Sequence, residues 1–164
     1  SSLTGNTKQV AEAITSVLPA GTPCVSMQEL PSDVSSYDLV FAGFWVDKGT
    51  ANKEARDVLG TLHNPYIALF ATAGVPPQMA HAKESLINAA NCLPDGVEPV
   101  GTFICQGKVD PKVIEMMYKM FPKGHSHGQS ADRDARHKQA AVHPNEDDFK
   151  AAQDFAKDIL IKLS

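Results

Sequence analysis

The run Ser2-Leu3-Thr4-Gly5-Asn6-Thr7 decides how the rest of the chain is read. It leads directly into a segment where Val10, Ile14, Val17 and Leu18 recur at helical spacing. A helix N-terminus leaves backbone N–H groups without intrahelical acceptors and carries a positive partial charge. The hydroxyls of Ser2, Thr4 and Thr7, the amide of Asn6 and the bare backbone of Gly5 surround those groups. They make a neutral cradle suited to a dianion. No lysine or arginine lies inside the run, so binding rests on dipoles and hydrogen bonds. One such residue would be an ordinary N-cap. Four in six positions read as a phosphate site.

Composition narrows the class. At 164 residues the chain suits a single domain with a substantial core, taken as 1–164. Its 43% hydrophobic and 21% charged residues are those of a globular protein. A net charge of −4 argues against nucleic acid as a partner. No apolar run approaches the roughly 20 residues of a membrane span, so no membrane association is expected. Cys24, Cys92 and Cys105 are widely spaced and form no Cys-x-x-Cys. They are expected as reduced thiols in a cytoplasmic protein.

Along the chain, apolar runs alternate with helical patterns. A helix is expected over Thr7–Leu18, closed by Pro19-Ala20-Gly21-Thr22-Pro23, and a short strand over Cys24–Met27. Asp38-Leu39-Val40-Phe41-Ala42-Gly43 and Tyr66–Ala71 are short apolar runs, as buried parallel strands require. Helices are expected from about Thr50 and from Pro76-Pro77, and a further strand over Val97–Cys105. Asp110-Pro111 opens a short helix with Val113, Met117 and Met120 expected to face inward. Residues 123–142 show little periodicity and read as an excursion. Asn145-Glu146-Asp147-Asp148 starts the closing helix. This alternation gives α/β architecture with helices on both faces of a parallel sheet.

Ser/Thr-x-Thr-Gly-x-Thr in the opening run resembles the phosphate loop of the flavodoxin-like flavoproteins, which holds the monoester phosphate of FMN. Neither the dinucleotide glycine pattern nor a Walker lysine is present. The resemblance implies a three-layer, doubly wound, parallel five-stranded sheet in the order 2-1-3-4-5. In that fold a strand precedes the phosphate loop, and it is expected ahead of Ser1. The resemblance also implies three binding segments at the carboxyl ends of the strands, where the strand order reverses. One is Ser2, Leu3, Thr4, Gly5, Asn6 and Thr7. The second is Phe44, Trp45, Val46, Asp47, Lys48 and Gly49, which holds the only tryptophan and would pack on the flavin ring. The third is Thr72, Ala73 and Gly74, which would meet the pyrimidine side of the ring. Gln106, at the end of the last strand, is a further candidate.

Gly43–Gly49, Cys105–Lys108 and His143–Asp148 together look similar to a flavodoxin-like subfamily of anaerobic bacteria. Its members are thought to pass electrons to dedicated partners, a reductase of bile pigments among them. His125, His127, His137 and His143 have no cysteines at tight spacing, so no metal is expected. With Arg133, Arg136 and Lys138 they read better as a docking surface. No Gly-x-Ser-x-Gly elbow or telling pair of acids occurs, and no residue is assigned a catalytic role. The expectation is an FMN-containing electron-transfer protein serving a redox partner protein. The alternative is an FMN-dependent reductase of a small-molecule acceptor such as a quinone or tetrapyrrole. A flavin-free interaction module is a third reading.

Overall fold

The computed structural model describes all residues from Ser1 to Ser164. Its sheet contains β1 (Leu39–Asp47), β2 (Thr50–Ala51), β3 (Tyr66–Ala73) and β4 (Gly101–Gln106), in the order β2-β1-β3-β4. β1, β3 and β4 run parallel, with Trp45 opposite Thr72 and Ala73 opposite Gln106 at their carboxyl ends. They are the third, fourth and fifth strands of the expected order. The helices are α1 (Asn6–Thr15), α2 (Lys53–Leu59), α3 (Ala80–Ala90), α4 (Pro111–Met120), α5 (Ala131–Ala140) and α6 (Glu146–Leu163).

Side chains alternate across each strand, so the sheet has two distinct faces. On one, Ala42 and Phe44 of β1 and Leu69 and Ala71 of β3 pack with Leu59 of α2 and Ala89 of α3. On the other, Phe70 and Cys105 meet Val10 and Ile14 of α1 and Ala152 and Ala156 of α6. The rings of Phe41 and Phe103 close that second core on Phe155 of α6, with centroids 6.1 and 5.7 Å away. Glycines let large side chains lie close over the sheet. A Cβ on Gly101 would lie 2.5 Å from Ile159 Cδ1, and one on Gly43 would lie 2.1 Å from the Phe70 ring.

Several expectations are corrected. Cys24–Met27 is not a strand, and Met27–Glu29 forms a 3-10 turn. A strand needs a ladder partner, and a groove of about 990 Å³ separates these residues from β1. The α/β architecture with helices on both faces of a mostly parallel sheet holds, but the order of the four strands in the chain differs from 2-1-3-4-5, because β2 adds an antiparallel edge beside β1. α2 begins at Lys53 because Thr50–Ala51 first turns back along β1. Pro76 and Pro77 form a turn that precedes α3 and do not begin the helix; the Met79 N–H donates to the Pro76 carbonyl at 3.1 Å. β4 starts at Gly101, after a first bond to β3 in which the Val100 N–H donates to the Ile67 carbonyl at 2.8 Å. Residues 123–142 contain α5. Val113 and Met120 face outward, not inward.

Candidate functional site

The candidate phosphate loop is built around Gly5, whose φ of +94° is left-handed and whose missing side chain leaves open space. Ser2 Oγ folds back over the start of α1 and accepts from the N–H groups of Gly5 and Lys8, both at 3.2 Å. Gln9 begins the intrahelical ladder by donating to the Gly5 carbonyl. The N–H groups of Asn6 and Thr7 are left without a protein acceptor. Thr4 and Leu3 are exposed beside them. Two free N–H groups, a left-handed glycine and exposed hydroxyls are the features that suit a helix start to an anion.

The side chains of Asn6 and Thr7 do something the sequence did not disclose. Asn6 Nδ2 donates to the Lys108 carbonyl at 2.8 Å, tying the loop to the segment after β4. Thr7 Oγ1 lies 2.9 Å from Thr72 Oγ1, and both residues are buried. Those two hydroxyls fix the depth of the loop against β3. Only the backbone N–H of each of the two loop residues stays available to a ligand.

The second segment divides by strand alternation. Phe44 is fully buried in the core on the α2–α3 face, which removes its side chain from the site. Trp45 projects to the opposite face, the one that α1 and Thr72 occupy, and it remains partly exposed. Val46 and Asp47 pair with Ala51 and Thr50 in a hairpin. Lys48 and Gly49 form its two-residue turn with φ of +49° and +78°, the pair of positive values that a type I′ turn requires. Asn88 of α3 donates to the Gly49 carbonyl at 2.8 Å and anchors the turn.

In the third segment, Ala73 accepts from the Gly107 N–H at 2.7 Å, and Gly74 accepts from Gln106 Nε2 at 3.4 Å. Gln106 is buried on the α3 side and braces the Gly74 loop; its side chain points away from the cradle. Close approach decides two glycines here. A Cβ on Gly107 would lie 2.9 Å from Asn6 Nδ2, and one on Gly74 would lie 2.7 Å from Val109 Cγ2. The site thus gathers the phosphate loop, Trp45, Thr72 and the Ala73–Gly74 backbone at one edge of the sheet.

Two asparagines that support the site, Asn52 and Asn88, carry little sequence signal. Asn52 donates to Ser1 Oγ at 2.9 Å while its buried Oδ1 has no partner. Asn88 holds the turn, and His143 accepts from the Lys108 N–H at 2.8 Å. Asparagine beside a helix start or in a helix resembles an ordinary capping or surface residue, so neither stands out by type alone. Burial pushes the Cys105 thiol up to about 12, with Asp148 adding to the shift, so this cysteine stays protonated and inert.

Residues 1–157 match the flavodoxin domain family model. The chain belongs to the flavodoxin domain family. It is 35% identical over 171 residues to the flavodoxin-like domain-containing protein BilS of Clostridioides difficile (strain CD3), an alignment covering 100% of this chain and 95% of that protein. It is 34% identical to BilS of Clostridium symbiosum (strain WAL-14163), covering 94% and 90% of the two chains. Membership supports a flavin cofactor and a redox role for this flavodoxin-domain protein. No helix is long and apolar enough to cross a membrane.

Proposed function

We propose that this flavodoxin-domain protein binds FMN and passes electrons to a dedicated protein partner. The observation that carries the reading is the pair of unpaired N–H groups on Asn6 and Thr7, set beside the left-handed Gly5. They suit one terminal phosphate and lack the lysine that a nucleoside triphosphate site would use. When bound, FMN supplies chemistry in which one or two electrons are accepted and released.

The residues of the chain divide the remaining work. The Asn6 and Thr7 N–H groups and the Thr4 hydroxyl would hold the phosphate by charge-assisted hydrogen bonds. Trp45 would lie against the ring and exclude water from that side. The Ala73–Gly74 backbone would meet the ring's polar edge. The ammonium of exposed Lys48, on the I′ turn, would favour negative charge at the ring by Coulomb attraction. No side chain here is asked to transfer a proton or form a covalent bond.

Two measurements test this. Mass spectrometry of the ligand released on denaturation should identify FMN; FAD would overturn the reading. Steady-state assays with NAD(P)H and a quinone, without a protein partner, should show negligible turnover. Rapid turnover there would replace the carrier with a stand-alone reductase.

A further inference from the structure

Residues 109–142 leave and rejoin the domain through a narrow neck, closed where Lys108 N–H donates to the His143 carbonyl at 2.8 Å. The neck adjoins the candidate site, because the Lys108 carbonyl accepts from Asn6 of the phosphate loop. Beyond it, α4 and α5 pack broadly on no other element. They hold each other through Tyr118, whose hydroxyl donates to Asp134 at 2.9 Å and lies 3.0 Å from His137 Nδ1.

That arrangement leaves an apolar stripe outside. No residue of α4 is fully buried. Val113, Met116 and Met120 share one face of α4 at helical spacing, and Met116 and Met120 are 56% and 67% exposed. Ile114 and Tyr118 occupy the flank that turns toward α5. Lys112 and Lys119 border the stripe on its other flank. The charge around it is opposite to that of the whole chain. Residues 108–142 hold seven lysines and arginines against four carboxylates, while the remaining residues hold eight against fifteen. A methionine-rich stripe edged by lysines on a projecting helix has the form of a ligand for a groove.

We infer that the exposed face of α4 docks into an apolar groove, rimmed by carboxylates, on the protein that exchanges electrons with this one. The apolar side chains supply the buried contact, and Lys112 and Lys119 supply steering and register against the acidic rim. Docking there would bring the partner to the edge of the sheet where the phosphate loop and Trp45 lie. The inference rests on the carrier reading for the partner's role, but the surface itself can be tested separately.

The test places the photocrosslinker benzoylphenylalanine at Met120, or at the exposed control positions Ile87 and Ile161, in the full chain expressed in its source cells. The Met120 variant alone should capture one protein, which is then purified and titrated against the wild-type chain with and without FMN. Binding should weaken with added salt, and by about tenfold or more in Lys112→Glu/Lys119→Glu and in Met116→Ser/Met120→Ser. The inference is overturned if Met120 captures nothing, captures only this chain, or captures no more selectively than the controls. It is equally overturned if both double variants bind unchanged, or if the stripe sediments with phosphatidylglycerol vesicles in place of the captured protein. Salt-sensitive binding without electron transfer would uphold the docking face and remove the carrier reading. Undiminished electron transfer in both double variants would do the reverse.

Discussion

Thr4 and Thr7 are both hydroxyl residues of one loop, yet their surroundings assign them different work. Thr7 Oγ1 is buried and shares its hydrogen bond with Thr72. Thr7→Ala leaves the Thr72 hydroxyl unpaired in the interior, and should cost about 1–3 kcal/mol of stability in urea unfolding. Thr4 is exposed. Thr4→Ala should leave unfolding unchanged and weaken FMN binding by one to two decades, from the loss of a charge-assisted bond of about 1.5–3 kcal/mol. Titration of the apoprotein with FMN separates the two effects; equal affinity in Thr4→Ala would show that this hydroxyl does not reach the phosphate. Trp45 is the corresponding test for the ring. Trp45→Ala should partly restore flavin fluorescence and reduce affinity by about 0.5–1.5 kcal/mol beyond lost area. Unchanged fluorescence and affinity would place the ring elsewhere.

At the scale of elements, the α4–α5 pair is held by a titratable contact. Tyr118 donates its one proton to Asp134, so the bond to His137 must be donated by Nδ1–H of the imidazole. Burial first, then the nearby Arg133 and Arg136 guanidinium groups, push His137 below its ordinary value of 6.5, against the opposing pull of Asp134. The unfolded pair therefore binds a proton at higher pH than the folded pair does. The contribution of His137 to stability is complete above about pH 6.5 and is lost as pH falls from there through the folded value. Limited proteolysis between Lys123 and Arg136 should accelerate as pH falls below about 6.5, and His137→Gln should flatten that dependence. Identical profiles would show that this contact does not hold the hairpin. The same two helices show what the sequence conceals. The apolar runs at Leu39 and Tyr66 have one solution as buried parallel strands, so β1 and β3 were legible. The Val113–Met120 pattern marks an amphipathic helix but does not say whether its apolar face meets this protein's core or another molecule. α5, with strongly polar residues throughout, offers no apolar period to read; its Ser130 cap was the available sign. At the candidate site, the loop Ser2–Thr7 stood out because its polar residues are dense. Trp45 and Phe44 were indistinguishable until strand alternation placed them on opposite faces.

For the whole molecule, an open groove of about 990 Å³ lies between α1, residues 22–27 and the free edge of β1. Ile14, Leu18, Val25, Leu39 and Phe41 line it, and the Ser1 amine sits at one end, 2.6 Å from the Gly43 carbonyl. A chain entering Ser1 parallel to β1 would run alongside Leu39–Gly43, with its backbone groups aimed at an unpaired strand edge. Five or six β-branched residues placed ahead of Ser1 should therefore pair there and bury side chains on both faces. Each buried valine or isoleucine contributes about 1.5–3 kcal/mol, against about 1–2 kcal/mol to order its backbone. The difference accumulates to a few kcal/mol over such a strand. It should raise the thermal midpoint by several degrees or more, since about 1 kcal/mol moves it by roughly 2–4 °C in a domain of this size. The extension should also reduce any binding of the dye ANS in the groove and protect the amides of residues 39–43 from exchange. A matched extension with proline at alternate positions cannot complete the ladder and should do none of this. If both extensions stabilise equally, the added chain packs on the surface and the groove is not a strand site.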